Sequence, residues 1–111
     1  MKLTNMPEGV MDWFTTPATT VPGASGAANT RARQIGDVQL RVVEYAPGYL
    51  ADHWCSKGHV IYVIAGELTI EHQTEHPACE LATGMSWHVG DDQVPAHRVR
   101  SERGATVFIL D

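Results

Sequence analysis

The chain has 111 residues and a formal net charge of −5, and its 13 acidic side chains are scattered rather than run together. Such a length suits one domain with its own hydrophobic core, and the diffuse negative charge offers no basic stripe for nucleic acid or an anionic membrane surface. The N-terminal segment Met1 to Gly9 lacks the apolar core of a signal peptide, and no segment approaches the roughly 20 apolar residues of a membrane span, so the expected address is cytoplasmic and the expected partner is a small molecule or another protein.

Residues 1–28 read as an extended N-terminal arm. Thr15 to Gly26 is rich in Thr, Pro, Gly and Ala and has little hydrophobic periodicity, and Trp13 and Phe14 are expected to anchor it on the domain's own surface. Residues 29–111 read as a barrel domain of short strands separated by glycine, proline or acidic turns. Val38 to Tyr45 alternates and ends at Ala46-Pro47-Gly48. His59 to Ala65 is almost wholly β-branched or aromatic, and Leu68 to Glu71 continues beyond Gly66-Glu67. Cys79 to Leu81, Met85 to Val89, His97 to Arg100 and Ala105 to Leu110 complete the series. No segment of ten or more residues shows a helical period, which predicts an all-β sandwich or barrel.

The chemistry is densest in Asp52-His53-Trp54-Cys55-Ser56-Lys57-Gly58-His59, where two imidazoles and one of the chain's two thiols lie within seven residues. On an extended strand, His53 and Cys55 project to the same side and form a chelating pair. His59 opens a strand and shares parity with Ile61, Val63 and Ala65, so it is expected to face the interior. His97 shares a face with Val99 and Ser101, while Arg98 and Arg100 point outward. Each histidine alone reads as a core side chain bonded to backbone, and Cys55 alone as a small hydrophobe. Together they are four inward polar groups, and a divalent cation satisfies them jointly while lowering the thiol pKa. The candidate metal ligands are therefore His53, Cys55, His59 and His97. Nitrogen and sulfur donors suit zinc first, with iron or nickel as alternatives.

Other chemistry-bearing residues read as less specific. His72 and His76, with Glu71 and Glu75, suggest a solvated hairpin. Two cysteines give no disulfide framework, so Cys79 is expected to be a free thiol. His88 should face outward, Trp54 should be structural and Trp87 should line the pocket. Tyr62 and Ile64 have the opposite parity to His59 and suggest an outward apolar face suited to a homodimer. Glu44 shares parity with Val38, Leu40 and Val42 and is the candidate inward general base.

The strand order and the pattern Gly48-x4-His53-x-Cys55-x3-His59-x6-Gly66, followed by Gly84 and His97, resemble the cupin superfamily over roughly residues 36–110. The resemblance implies a jelly-roll barrel, the cupin-type double-stranded β-helix, with a metal at its centre. More narrowly, Asp52-His53-Trp54-Cys55 within the tract Tyr45 to Cys55 looks like the DHCW-motif cupins. Carried over position by position, His53 matches the first cupin histidine, Cys55 stands on the second, His59 stands where glutamate is usual, and His97 matches the histidine of the second motif. The chain departs in three places: the leading glycine is one residue closer, the glutamate is absent, and Asp91 and Asp92 occupy a lengthened second motif where proline-glycine is usual.

Two classes of function follow. In one, the metal acts on a small molecule, as a metal-dependent oxygenase or isomerase would, and needs an exchangeable coordination position. In the other, three histidines and a thiolate close a structural zinc, and the barrel is a non-catalytic module that binds a metabolite or senses oxidants through Cys55. Coordination number separates the two.

Overall fold

Alternation of apolar and polar side chains over short runs sets the architecture of the computed structural model, which describes residues 3–111. Nine strands follow one another: β1 (Thr19–Pro22), β2 (Ala27–Ile35), β3 (Val38–Tyr45), β4 (Tyr49–Leu50), β5 (His59–His72), β6 (Cys79–Ala82), β7 (Ser86–Val89), β8 (His97–Ser101) and β9 (Ala105–Leu110). All pairings are antiparallel. None of the described residues forms a helix long and apolar enough to cross a membrane.

The long strand β5 organises the molecule because its two halves belong to different sheets. Its first half pairs with β9 on one side and β7 on the other, extending the array β1-β2-β3-β9. Its second half pairs with β6 and with β8, beyond which lies β4. The two sheets curl over a shared interior, a jelly-roll barrel, and the all-β expectation holds. The change of sheet falls at a bulge between Val63 and Ala65, next to Gly66 in the left-handed region at φ 83°. A Cβ on Gly66 would collide with the carbonyl oxygen of Gly104 in the turn before β9, so only glycine fits this crossing.

Inward residues close the core. Val43 and Tyr45 from β3, Ile61 and Val63 from β5, and Val107 and Ile109 from β9 lie on one face, with register pairs Val43↔Val107 and Ile61↔Ile109. Leu68 and Ile70 from the second half of β5 face them, both at 0% exposure. Burying each such side chain contributes about 1.5–3 kcal/mol.

The arm is more regular than its composition suggests. Its residues 19–22 form β1 against β2, and β2 begins at Ala27, so the division drawn after residue 28 falls inside a strand. β2 then joins β3 through the two-residue turn Gly36-Asp37, in which Gly36 takes φ 58°, the left-handed first position of a type II′ hairpin. Trp13 anchors the arm as expected, its ring 6.4 Å from Phe108 in an edge-to-face contact. Phe14 does not: it is 99% exposed, because a turn closed on Asp12 by Phe14, Thr15 and Thr16 swings it away.

Candidate metal centre

Between β4 and β5 the chain runs from residue 51 to 58 without a continuous strand; the Ala51 N–H donates to the Val99 carbonyl of β8, the Gly58 N–H donates to Asp91 Oδ1, and a reciprocal bridge forms at Cys55. The Cys55 N–H donates to the His97 carbonyl at 2.7 Å, and the His97 N–H donates to the Cys55 carbonyl at 2.9 Å. This bridge fastens the loop to the start of β8, while His59 opens β5 with a side chain only 9% exposed. As a result Cys55 Sγ and a ring nitrogen from each of His59 and His97 all lie within 4.8 Å of one another. Cys55 Sγ is 3.5 Å from His59 Nε2. The two imidazoles stand nearly perpendicular with centroids 5.2 Å apart, and Trp87 closes the other side of His97 at 4.9 Å, as expected of a pocket-lining ring.

The electrostatics prepare these groups as donors to a cation. His97 is 4% exposed and its Nε2 is buried with no hydrogen-bond partner. Burial pushes its pKa down to about 4, with His59 and His72 beside it acting in the same direction. Burial also lowers the pKa of His59, although Asp111 opposes that shift. Both imidazoles are therefore neutral at pH 7 and carry a free lone pair. Asp111 Oδ2 lies 3.1 Å from His59 Nδ1, an arrangement that assigns the proton to Nδ1 and leaves Nε2 for the cluster. The same carboxylate oxygen accepts from Arg41 at 2.8 Å. The backbone N–H of Lys57 donates to Cys55 Sγ at 3.4 Å. An orphaned buried nitrogen, a second free nitrogen lone pair and a sulfur facing one point fit a zinc-type divalent ion.

Three of the four expected ligands are thus brought together, and the fourth stands apart. Asp52 and His53 form a bend rather than a strand, so the alternation that would align His53 with Cys55 is broken there. The His53 side chain is 78% exposed, and its Nδ1 is 2.6 Å from Asp52 Oδ1. Glu44 requires a correction as the inward general base: it points outward and pairs with Arg31 at 2.6 Å. The inward face of β3 is instead the one carrying Arg41, Val43 and Tyr45. Neither Arg41 nor Asp111 stands in a motif, and their roles come from the register Arg41↔Ile109 and from the chain turning back beside His59.

The other expectations have simple outcomes. Trp54 lies under the Arg98 guanidinium, whose carbon is 4.3 Å from the ring centroid. Tyr62 and His88 are exposed, and both cysteines are free thiols. His72 and His76 pack ring to ring at 4.4 Å. Among the described residues, the Cys55, His59 and His97 group is the one in which three or more such donors converge.

A cavity of about 140 Å³ opens against the cluster. Its polar wall is formed by Arg41, Tyr45, His53, Cys55, His59 and His97, and its apolar wall by Ala51, Ile61, Val99 and Ile109, with Arg98 at its edge.

No protein-family model and no curated relative matches the chain. Solved structures do. An RmlC-like cupin from Shewanella frigidimarina superimposes with a TM-score of 0.70 at 15% identity, over 96% of this chain and 92% of that one. The fold is that of the cupins. Ectoine synthase from P. lautus gives a TM-score of 0.71 at 17% identity, over 93% of this chain and 76% of that one. A cupin-like protein from Thermotoga maritima gives 0.63 at 18% identity, over 78% and 68%. In this cupin fold the donor cluster lies inside the barrel, and His59 stands where the resemblance places the usual glutamate.

Proposed function

We propose that this cupin binds one divalent metal ion through Cys55, His59 and His97, zinc first with iron or nickel as alternatives, and that the adjoining cavity receives a small molecule. The observation that carries this reading is the convergence of the three donors around a His97 Nε2 that has no protein partner. Three protein ligands leave a coordination position open, the arrangement of catalytic rather than closed structural zinc. An ion bound there supplies Lewis acidity, the chemistry an oxygenase- or isomerase-type reaction would draw on. The chain's own residues supply the rest: Asp111 and Arg41 hold His59 in its tautomer, Trp87 walls in His97, and burial keeps Tyr45 a neutral phenol facing the cavity.

Elemental analysis of the purified protein is expected to find one metal per chain. Cys55→Ala and His97→Ala should each reduce it below a tenth, whereas His53→Ala should retain it. Retention of metal by the first two variants would refute the ligand set, and loss of metal in His53→Ala would restore the four-ligand, closed site.

A second reading, an oxidant-sensing module, is favoured by one observation: Cys55 lies on the cavity wall, where a small oxidant reaches it. Peroxide should then release metal from the wild type and thiol reductant should restore uptake, and unchanged metal content after oxidation would remove this reading. The proposal includes a cytoplasmic, reducing location, which the two free thiols support. It also includes a homodimer, supported by the outward apolar row Val60, Tyr62 and Ile64, exposed by 41%, 45% and 46%.

A further inference from the structure

Arg41 occupies an unusual place for a permanent cation. It sits on the inward face of β3, two residues before Val43 and four before Tyr45, both buried, and its guanidinium has one protein acid to pair with, Asp111. That pair uses NH2, while the Arg41 Nε is buried without a partner. An arginine on the inner wall of a small barrel is costly unless further acceptors reach it.

The cavity wall explains what is missing. Asp111 stands behind Arg41 and His59 rather than in the wall, and no carboxylate lines the cavity. The second arginine at the edge, Arg98, is engaged elsewhere, with Glu71 at 2.9 Å and stacked on Trp54. Arg41 and Asp111 cancel in charge, and a divalent ion coordinated by two imidazole nitrogens and one thiolate leaves one positive charge. A monoanion restores neutrality. The apolar half of the wall, Ala51, Ile61, Val99 and Ile109, suits carbon rather than a third or fourth oxygen. At about 140 Å³ the space holds only a few heavy atoms, well below the cavities that take drug-sized ligands.

We infer that the cavity takes a small carboxylic acid as its monoanion, the carboxylate held by Arg41 in the planar manner guanidinium favours and the carbon skeleton lying on the apolar wall toward the metal position. This assignment rests on the three-ligand metal reading, and it makes Arg41 the residue that selects the substrate class.

The test uses the full chain loaded with Co²⁺, whose visible bands report the coordination sphere, titrated separately with acetate, neutral acetamide and inorganic phosphate. Acetate should perturb the bands saturably, acetamide should not, and phosphate should bind more weakly than acetate. Compared at saturating cobalt, where any loss of metal affinity from the weakened hold on Asp111 and His59 is overcome, Arg41→Met should weaken acetate by about ten- to hundred-fold, with Arg41→Lys in between. Equal acetate binding by wild type and Arg41→Met would overturn the inference, because the ion alone would then hold the anion. Acetamide as effective as acetate, or phosphate tighter than acetate, would overturn it too. Should Arg41→Met fail to fold, Arg41→Lys and the three-ligand comparison on the wild type still decide. If the chain takes up no cobalt, the metal reading itself falls and this inference with it; if cobalt binds and acetate has no effect, only this inference falls.

Discussion

His59 is held by one oxygen that has two tasks. Asp111 Oδ2 faces His59 Nδ1 and the Arg41 guanidinium at once, so its carboxylate fixes both the tautomer and the orientation of the imidazole in the donor cluster. Carboxylates in this position behind a ligating histidine typically raise metal affinity about 10- to 100-fold. Asp111→Asn is therefore expected to weaken zinc binding by about that factor while leaving stoichiometry at saturation unchanged, measured by competition with a chromophoric chelator; unaltered affinity would show that Asp111 does not position His59. At this scale the sequence was legible where strand parity holds. His59 and His97 open regular strands, and both face inward as alternation requires. It was illegible at His53, which sits in a bend, and at Glu44, where the adjacent valines Val42 and Val43 leave the phase of β3 ambiguous between its two faces. Arg41 and Asp111 carry no local signal at all, because only tertiary register brings them to the site.

β5 is the element on which the site depends, since it begins with a proposed ligand and ends in the opposite sheet. Its passage between sheets requires Gly66, where the backbone is left-handed and the Gly104 carbonyl leaves no room for a Cβ. Gly66→Ala is expected to destabilise the protein by about 1–3 kcal/mol in chemical denaturation, and a neutral effect would show that the crossing tolerates a side chain. At its far end Glu71 bonds Arg98 and Arg100 of β8. Burial pushes the Glu71 carboxyl upward, but the two arginine hydrogen bonds outweigh it and the net shift is downward from 4.5. A carboxylate lowered on folding contributes stability that is present above its unfolded pKa and is lost as pH falls through the folded one. The melting-temperature difference between wild type and Glu71→Gln should thus be open at pH 7 and shrink as the pH falls below 4.5; a difference independent of pH would contradict the ion-pair account. Strands of strong β character, Val38–Tyr45 and Ala105–Leu110, kept the bounds their patterns predict. β2, with Asn29, Arg31, Arg33 and Gln34 along it, was hidden because its stability comes from pairing with β3 rather than from its own side chains.

For the molecule as a whole, the barrel encloses the donors while the row Val60, Tyr62 and Ile64 faces out from the same strand. If that row joins two copies, light scattering on the eluting protein should give twice the chain mass for the wild type and the single mass for Tyr62→Glu; a monomeric wild type would refute the proposed dimer. The reciprocal backbone bonds between Cys55 and His97 have a separate consequence for the metal's traffic. The sulfur-bearing loop and the imidazole-bearing strand are tied by the main chain itself, so the donors stay assembled when no ion joins them. Uptake then does not require the ordering of a disordered loop. Chelation should lower the melting temperature by mass action without unfolding the barrel.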